Sequence, residues 1–500
     1  MPTIVDAVVA QASARSALRD HRGTWSYGDL DARSAALAFE LRAVRGVKPG
    51  DRIAMLFEPG LDFAATLVGI WRARAVALVL TPLHPPKERA ALVSDARVTL
   101  VLTSPLHEGL ARASAPGVAV RVLESAATWP PPAPRDADLR PDDDDLALQM
   151  YTSGTTGKAK GVLLRHHHLS AQLDALARAW AMSREDVLVH ALPLHHIHGL
   201  SIAMLNVLRV GGAVHLLPAF DAHAVLAACE RATVFMGVPT MYARLLDALD
   251  ALDDDARRKA SSSLHALRLC VSGSAALPVS LGNRWASYAG TYPLERFGMT
   301  ELGVALSNPL HGERIPGSVG TPLDGVQVRV VDDEGRDARE GQLLVGGPTV
   351  FEGYFERPDA DAESFVVHGG TRWFKTGDTV RLDEHGRVQI LGRTSVDILK
   401  SAGYKLSAIE IEEALRRHPA VRDAAVVGLP DETYGQRVAA AVMLHATASA
   451  SVDDLTAFLR EELAPYKLPR VWRIVDDVPR NALGKVLKPA LAQLLAAAQT

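Results

Sequence analysis

The run from Tyr151 to Lys160 brings glycines, hydroxyl side chains and lysines together within a short stretch. Glycine lets a backbone approach an anion closely, hydroxyl groups donate hydrogen bonds to it, and lysine supplies positive charge. A chain of phosphates needs this combination of groups. We therefore predict that the segment binds a polyphosphate, through Thr152, Ser153, Gly154, Thr155, Thr156, Gly157 and Lys158.

The spacing distinguishes this loop from a Walker A motif. That motif has four residues between its glycines and a Ser or Thr directly after its lysine. Here two residues separate Gly154 from Gly157, and Ala159 follows Lys158. For the segment taken alone, a flexible surface turn rich in Gly and Thr is the alternative interpretation.

The elements that must position this loop alternate between short apolar runs and stretches with helical periodicity, which indicates α/β architecture. The apolar runs lack a polar face, as parallel strands covered by helices do. Strands are predicted at 52–57, 76–82, 98–104 and 146–151, and helices at 61–73 and 86–95.

Two later regions differ in composition. Residues 130–145, rich first in proline and then in aspartate, are predicted to be a solvated surface linker. Residues 407–418 predict a helix that begins with a capping box of Ser407 and Glu410. Strands predicted at 424–428, 438–444 and 471–475 and a helix at 452–463 complete a small α+β domain, joined to the rest near 392–395.

The overall composition excludes several kinds of protein. At 500 residues, roughly two to four domains are expected. A net charge of −4 gives no electrostatic reason to expect a nucleic acid or an anionic membrane as partner. The start of the chain lacks a secretory pattern, no apolar run approaches the ~18 residues of a membrane span, and the two cysteines form no disulfide framework. These features predict a cytoplasmic location, and nothing in the sequence predicts an oligomeric state.

The loop at 151–161 resembles the signature loop of the adenylate-forming superfamily, which includes acyl-CoA synthetases, luciferases and the adenylation domains of peptide synthetases. Further segments similar to the motifs of that family follow in the same order over nearly the whole chain. They are GVPT at 237–240, SGSAALP at 272–278, FGMTE at 297–301, GSVG at 317–320, KTGD at 375–378, GR at 392–393, GYK at 403–405 and PRNALGK at 479–485.

The resemblance implies a fold and a reaction. The fold is of the α/β class: a large N-terminal α/β domain at 1–392, a hinge at 393–395 with Ser395 as its pivot, and a small mobile C-terminal α+β domain at 396–500. In the reaction, a carboxylate attacks the α-phosphorus of ATP and expels pyrophosphate, and a thiol then attacks the acyl-adenylate. The implied small molecules are ATP, Mg²⁺ and coenzyme A, with neither nucleic acid nor membrane as partner.

The same resemblance assigns roles to single residues. Glu301 resembles the magnesium ligand of the family, and Thr300 the residue that contacts the α-phosphate. Asp378 and Arg393 resemble the pair that holds the ribose hydroxyls, and Lys485 resembles the catalytic lysine of the small domain. The remaining assignments are ATP contacts at Gly273, Ser274, Ala275 and Ala276, a gating position at His196, and coenzyme A contacts at Gly403, Tyr404 and Lys405.

The acid is predicted from Arg296, the residue before the FGMTE segment. In the family this position lies close to the acyl pocket, where a guanidinium offers a fork for a second carboxylate. The segments around His198, Ser274 and Arg296 look most like malonyl-CoA synthetases, including the animal mitochondrial member. On that analogy Arg296 would bind the distal carboxylate of malonate, with Ser274 and His198 completing the polar end of the pocket. A surface or interdomain salt bridge, for example with Glu295, is the alternative role for Arg296.

Other interpretations remain open at this point. Histidines 166–168 predict the polar start of a helix, since neither histidine cluster has the spacing of a zinc helix. Ser272 stands where a nucleophile elbow at Ser274 would need glycine, which disfavours a covalent serine mechanism. A fatty or aromatic acid–CoA ligase, a standalone adenylation module that loads a carrier protein, and a nucleotide-binding regulator without catalysis are the rival functions. Methylmalonate is expected as a second substrate, because one methyl group is discriminated by only about 1–3 kcal/mol.

Overall fold

The computed structural model describes residues 2–11, 13–125, 139–153, 159–401, 404–431, 433–480 and 485–497. These residues form a large N-terminal domain of mixed α/β structure and a smaller C-terminal domain, which confirms the predicted fold class.

One large sheet runs through the N-terminal domain. Its central strands are parallel and largely buried, because apolar residues occupy both of their faces. The strands at its two ends pair in antiparallel fashion. In spatial order the strands are Thr321–Pro322, Gly303–Ser307, Leu294–Met299, Leu269–Ser272, Val234–Gly237, Val187–His190, Ala213–Leu216, Ser16–Asp20 and Gly23–Ser26.

A second sheet contains the four strands predicted from apolar runs, all of which form with slightly different ends. Parallel pairing of these strands agrees with their two-sided burial. At one edge of the sheet, the strand after the predicted phosphate loop, Ala159–Arg165, pairs in antiparallel fashion with both of its neighbours. The spatial order is Gly353–Tyr354, Ala159–Arg165, Leu146–Ser153, Val76–Val79, Arg52–Leu56, Leu100–Thr103 and Ala119–Val122.

A third, antiparallel sheet follows in the chain and was not predicted. Its long strand Thr371–Leu382 alternates buried and partly exposed residues, as expected for a sheet with one covered face. The spatial order is Gln327–Val331, Glu340–Gly346, Thr371–Leu382 and Phe365–His368, with Val388–Arg393 also paired to Thr371–Leu382.

Helices cover the parallel sheets, and the two predicted ones form at Leu61–Arg72 and Pro86–Asp95. Further α-helices of the N-terminal domain are Ile4–Val9, Tyr27–Phe39, Glu108–Ser114, His166–Ala179, Asn206–Arg209, Ala222–Ala228, Pro239–Asp250, Asp254–His265, Val279–Ala289 and Pro358–Ser364. Shorter 3-10 turns lie at Pro105–His107 and Cys229–Arg231, and π-helical segments at Glu40–Val44 and His198–Leu205.

The C-terminal domain has its own sheet and core. Its strands are Tyr404–Ser407, Ile398–Ser401, Gly435–Leu444 and Val421–Asp431 in spatial order, with Val471–Ile474 paired to Gly435–Leu444. Its helices are Ala408–Arg416, Val452–Glu462 and Lys488–Ala496, with a 3-10 turn at Pro465–Lys467. All the elements predicted from sequence for this region are present.

One half of the predicted capping box is wrong. Ser407 Oγ accepts a hydrogen bond from the backbone amide of Glu410, as predicted. The carboxylate of Glu410 does not return the bond, because it accepts from Lys467 Nζ at 2.6 Å instead. The helix therefore starts with a simple serine cap, and the ion pair of Glu410 with Lys467 links it to the 3-10 turn Pro465–Lys467.

Two further expectations need correction. Of the predicted linker, residues 130–138 lie outside the described residues, and the aspartates after them do more than solvate the surface. Asp145 accepts two hydrogen bonds from Arg74 and caps the turn at Asp142, which also pairs with Arg74. His166 and His168 do start a helix, but they are buried rather than surface residues.

The buried apolar clusters divide at one stretch of the chain. One set contains residues from Ile4 to Val388, and the other contains residues from Leu399 to Leu495. The predicted hinge at 393–395 lies between them, and the exact boundaries stay a prediction. Both cysteines, Cys229 and Cys270, are free and buried in the N-terminal domain. Among the described residues, no helix combines the length and apolar character needed to cross a membrane.

Candidate active site

The predicted site residues gather at the carboxyl ends of parallel strands. The strand Leu146–Ser153 leads into the phosphate loop, Leu269–Ser272 leads into Gly273 and Ser274, and Leu294–Met299 contains Arg296 and leads into Thr300. Open α/β sheets bind ligands beyond this end of their strands. The two parallel sheets therefore present their predicted binding loops at the edges where such sites are found.

The start of the phosphate loop contacts the FGMTE segment. Thr152 Oγ1 donates a hydrogen bond to Glu301 Oε1 at 3.4 Å, so two predicted nucleotide-binding segments meet. The backbone of Ser153 forms the end of the strand Leu146–Ser153. The rest of the predicted loop lies outside the described residues: Gly154, Thr155, Thr156, Gly157 and Lys158.

A polar network that the sequence analysis missed holds the strand before this loop. The Tyr151 hydroxyl donates to Asp95 Oδ2 at 2.6 Å, and Arg357 Nη2 donates to Asp95 Oδ1 at 2.6 Å. Gln149 Nε2 donates to the Tyr151 oxygen at 3.1 Å. Since Asp95 ends one helix and Arg357 begins another, three separate elements fix the base of the loop. Nothing in the local sequence of Asp95 signals this role.

Glu301 is a buried carboxylate, only 5% exposed, and Thr300 beside it is partly buried. The Tyr354 hydroxyl donates to Glu301 Oε1 at 3.1 Å, and the Phe351 amide donates to the Glu301 carbonyl at 2.8 Å. Burial raises the pKa of Glu301. A carboxylate held this way among hydroxyl groups can serve a hard cation or accept hydrogen bonds. Tyr354 is too distant in sequence for its contribution to have been predicted.

Asp378 and Arg393 lie opposite each other on adjacent antiparallel strands. Arg393 Nε stands 3.2 Å from Asp378 Oδ1, and Arg393 Nη1 donates to the Thr376 carbonyl at 2.6 Å. Asp378 Oδ2 is buried without a hydrogen-bond partner among the described residues. The two residues therefore form a pair with one carboxylate oxygen left to accept from a ligand hydroxyl.

The pKa of Asp378 leads to a testable pH dependence. Burial raises this pKa to about 6, although Arg393 and Lys485 oppose the shift. Below that pH the carboxyl is protonated and loses its charge-assisted hydrogen bonds to hydroxyl groups. We expect the KM for ATP to rise as the pH falls through 6. In Asp378→Asn, the KM should already be about 10- to 100-fold higher at pH 8, since bonds to a charged acceptor contribute about 1.5–3 kcal/mol.

Steady-state kinetics of wild type and Asp378→Asn between pH 5 and 8 measure this effect. The ionisation of ATP is common to both proteins, so the ratio of their KM values isolates Asp378. That ratio should shrink towards one at low pH. A ratio that stays constant over the range would contradict the ribose role.

Lys485 stands beside this pair. Loss of water around its ammonium group lowers its pKa, Arg393 lowers it further, and Asp378 and Asp397 act in the opposite direction. Arg296 also contributes, so Lys485 lies within electrostatic reach of both the ribose pair and the predicted acid pocket. The residue as a whole is exposed, so these electrostatic influences come from groups on one side of it.

His196 is a further neighbour of Lys485 in electrostatic terms. Burial lowers the pKa of His196 to about 4, and the neighbouring charges of His84 and Lys485 add to the shift. Its ring centroid is 4.1 Å from that of His195, which in turn meets His84 edge-on at 5.9 Å. The three rings form an aromatic cluster, and the influence of Lys485 on the pKa of His196 is consistent with the predicted gate.

Arg296 lies in the interior with 5% of its surface exposed. Its guanidinium packs over Gly273, where an added Cβ would come within 2.4 Å of Cζ. Nε and Nη2 have no hydrogen-bond partner within the described parts of the chain. Burial lowers the pKa of Arg296 to about 10, so the group stays charged at neutral pH. A buried, charged and incompletely bonded guanidinium is a site for an anion.

His198 and Ser274 complete this cluster as predicted. Their atoms Nδ1 and Oγ are 3.1 Å apart, and Arg296 contributes to a large lowering of the pKa of His198, which burial dominates. Ser274 adopts a positive φ of 67°, a strained conformation typical of functional sites. Of the other predicted ATP contacts, Gly273 is buried, while Ala275 and Ala276 are exposed at the rim.

The alternative ion pair between Arg296 and Glu295 is wrong. Glu295 points away from the pocket, accepts a hydrogen bond from the Gly317 amide at 3.0 Å, and is 5% exposed. Because adjacent residues in a strand face opposite sides of the sheet, the two side chains cannot meet. Burial raises the pKa of Glu295 to about 8.

This raised pKa predicts that Glu295 destabilises the folded state at alkaline pH. The folded protein holds the proton up to about pH 8 and the unfolded chain releases it near 4.5, so stability falls as the pH rises between these values. Glu295→Gln should therefore gain stability over wild type across this range, by a few kcal/mol at most. Denaturant unfolding at pH 5, 7 and 9 measures it. The exposed Glu461→Gln should show no such trend, and an equal trend in both would refute the assignment.

The predicted coenzyme A contacts have other partners in the structure. Gly403 is outside the described residues. The Tyr404 ring is half exposed and stacks on Tyr466 at 4.3 Å, and Lys405 Nζ pairs with Asp333 of the N-terminal domain. Neither partner is among the predicted adenylation residues, and the coenzyme A role stays a prediction.

A second contact between the domains lies near the acid pocket. Glu413 of the small domain accepts a hydrogen bond from the Val279 amide at 3.4 Å, at the first turn of the helix Val279–Ala289. Ser395, the predicted pivot, lies in an exposed turn between the strands Val388–Arg393 and Ile398–Ser401. The pivot role stays a prediction.

Comparison with known proteins agrees with this geometry. Residues 5–355 match the family model "AMP-binding enzyme", and residues 410–485 match "AMP-binding enzyme C-terminal domain". The mitochondrial malonate–CoA ligase ACSF3 of Mus musculus is 39% identical, over 96% of this chain and 88% of its own. A structure of a malonyl-CoA ligase with methylmalonyl-CoA and AMP bound is 37% identical, with a TM-score of 0.70 over 96% of this chain and 100% of that chain.

Two structures of MatB from Rhodopseudomonas palustris are also similar to this chain. Both cover 99% of this chain and 98% of their own at 33% identity, but the TM-score is 0.90 for the ATP-bound form and 0.80 for the apo form. This chain is therefore more similar in structure to the ATP-bound form than to the apo form. The chain therefore belongs to the family of AMP-binding enzymes.

Proposed function

We propose that this chain is an ATP-dependent malonate–CoA ligase, which converts malonate, ATP and coenzyme A into malonyl-CoA, AMP and pyrophosphate. The observation that supports the acid most directly is Arg296. It is a buried, charged guanidinium without an acidic partner among the described residues, next to His198 and Ser274. A dicarboxylic acid supplies the missing anion with its distal carboxylate, while its other carboxylate reacts.

In the first half-reaction, a malonate oxygen attacks the α-phosphorus of ATP and the bond to pyrophosphate breaks. Two anions must approach each other, so cationic groups are needed at the point of attack. Asp378, Arg393 and Arg296 all influence the pKa of Lys485, which supports a role for its ammonium group between nucleotide and acid. Its ammonium group would stabilise charge that accumulates on the α-phosphate oxygens, while Arg393 and Asp378 hold the ribose.

Mg²⁺ fits the donor set on this side of the site. Glu301 is a buried carboxylate with the hydroxyl of Thr152 at hydrogen-bond distance, and hard cations prefer oxygen ligands. Among the described residues, no cluster of three His, Cys, Asp or Glu side chains forms a metal site. This agrees with a cation bound by one or two carboxylates plus phosphate oxygens, which neutralises the phosphate charge.

In the second half-reaction, the thiol sulfur of coenzyme A attacks the acyl carbon of malonyl-adenylate, and AMP leaves. We place a rotation of the small domain about Ser395 between the two half-reactions. The contacts Lys405–Asp333 and Glu413–Val279 belong to the present arrangement and would open during this rotation. Tyr404 and Lys405 would then face the thiol channel, and His196 would gate it.

Methylmalonate should be a second substrate. It carries the same distal carboxylate and differs by one methyl group, which a pocket discriminates by only about 1–3 kcal/mol. The related malonyl-CoA ligase with bound methylmalonyl-CoA agrees with this expectation. A cytoplasmic location stays a prediction, as the relatives named malonate–CoA ligase include mitochondrial proteins.

Pyrophosphate release over a panel of acids tests the function. Malonate should give the highest kcat/KM, methylmalonate a somewhat lower one, and succinate, acetate, octanoate and benzoate far lower values. Malonyl-CoA should form with free coenzyme A, which separates a ligase from a module that loads a carrier protein. Turnover of octanoate or benzoate equal to that of malonate would overturn the dicarboxylate assignment.

A further inference from the structure

His190 is a second buried histidine in the sheet whose strands position the acid pocket. It ends the strand Val187–His190, is 1% exposed, and neither ring nitrogen has a hydrogen-bond partner among the residues that the structure describes. Nε2 of His198 is likewise buried without a hydrogen-bond partner among the described residues. Buried polar atoms in native proteins nearly always have a protein or water partner, so two such rings close together need an explanation.

The strand register places His190 on the same face as Arg296. In the parallel register Val189 pairs with Phe235, so the next residues, His190 and Met236, also lie side by side. Met236 pairs with Val271 on the next strand, and Val271 pairs with Leu294 on the one after it. Residues level with each other in parallel strands point to the same face, as do residues two apart in one strand. Arg296 follows Leu294 by two positions, so its side chain shares a face with that of His190.

The two histidines are also neighbours electrostatically. His190 contributes to the lowering of the pKa of His198, together with burial and Arg296. Both rings are therefore neutral near neutral pH, and each carries one N–H donor and one acceptor nitrogen. Which nitrogen carries the proton on His198 decides how the pocket can receive a carboxylate.

A carboxylate can only accept hydrogen bonds. For Ser274 to bind one, its single O–H must point at the ligand, and its oxygen must then accept from Nδ1–H of His198, which lies 3.1 Å away. In that tautomer Nε2 of His198 is an acceptor without a proton. It is buried, so it needs a donor on its other side.

We propose that His190 supplies this donor through one bridging water, and so acts as a positioning residue that sets the tautomer of His198 and turns the Ser274 hydroxyl towards the distal carboxylate. The inference rests on the proposed malonate function. The resulting chain runs from His190 through water, His198 and Ser274 to the ligand, beside the guanidinium of Arg296. An acid with no second carboxylate cannot accept the last hydrogen bond of this series and gains no binding free energy from it, so His190 contributes to selectivity.

Kinetics of three variants test the proposal. His190→Leu removes the donor and should raise the KM for malonate about tenfold, with the KM for ATP nearly unchanged. His190→Asn keeps an N–H donor and should recover most of the loss. His166→Leu is the matched control, because His166 is equally buried with both nitrogens unpartnered among the described residues but lies against Trp71. Equal malonate effects in His190→Leu and His166→Leu, or no recovery in His190→Asn, would overturn the proposal.

Nitrogen-15 NMR of the histidine rings gives a readout that does not depend on activity, and the tautomer itself is read in the wild-type protein. In wild type at neutral pH, with the signal assigned by a His198→Gln spectrum, the proton of His198 should be on Nδ1. A proton on Nε2 would refute the proposed chain. If wild type releases no pyrophosphate with malonate, the proposed function is wrong. The tautomer of His198 is measured independently of that result, so it still tests whether His190 acts on His198.

Discussion

Lys485→Ala is expected to lower the rate of adenylate formation about a thousandfold, while thioester formation from supplied malonyl-adenylate and coenzyme A continues near the wild-type rate. The first effect follows from removing a cation aimed at developing phosphate charge, for which single preorganised groups contribute about 10²- to 10³-fold. The second follows because Lys485 would leave the site when the small domain rotates.

Two assays separate the half-reactions. Malonate-dependent exchange of pyrophosphate into ATP measures the first, and coenzyme A consumption with synthetic malonyl-adenylate measures the second. Lys485→Arg keeps the charge but changes its reach, so it should be intermediate in the first assay. The surface variant Lys259→Ala, whose partner is Glu230, should match wild type in both. A parallel loss of both half-reactions in Lys485→Ala would count against rotation of the small domain.

Arg296→Met should separate stability from function. The substitution removes a buried charge that has no acidic partner in the described residues and keeps an apolar stem of similar size, so the ligand-free protein should be as stable as wild type or more stable. The kcat/KM for malonate should fall about 10²- to 10³-fold, because the distal carboxylate would be buried without its cation. Turnover of butyrate should rise relative to malonate.

Arg314→Met provides the contrast for this experiment. Arg314 is also largely desolvated, which lowers its pKa, but it donates to the backbone carbonyls of Tyr292, Pro309 and Leu310. Its replacement should destabilise the fold and leave the order of preferred acids unchanged. Thermal melts and the acid panel measure both properties. Unchanged malonate kinetics in Arg296→Met would show that the distal carboxylate binds elsewhere.

The sequence predicted best where one local pattern determines the outcome. Strands such as Arg52–Leu56 are apolar on both faces, and the helix after Ser407 has its cap within the next turn, so short-range physics was enough. The antiparallel sheet around Thr371–Leu382 was missed, because its strands alternate and the pairing joins segments far apart in the chain. Glu410 likewise took a partner, Lys467, from a distant segment.

The candidate site shows the same division. The motif around Arg296 predicted its place near Ser274 and His198, which the structure brings together. The proposed selectivity of Arg296 depends on its lack of an acidic partner among the described residues, which in turn depends on Glu295 bonding to the Gly317 amide instead. Asp95, Tyr354 and His190 have no motif around them, so only the folded arrangement reveals their contacts.

The two cysteines have a practical consequence for observing domain motion. Thiol reagents react with the thiolate, and burial raises the pKa of Cys229 to about 12 and that of Cys270 still further. The two natural cysteines should therefore react very slowly with maleimide dyes. Cysteines introduced at the exposed positions Arg258 and Glu461, one on each domain, would carry a donor and an acceptor fluorophore in an otherwise unaltered enzyme. Energy transfer between them would report each swing of the small domain during turnover, one molecule at a time.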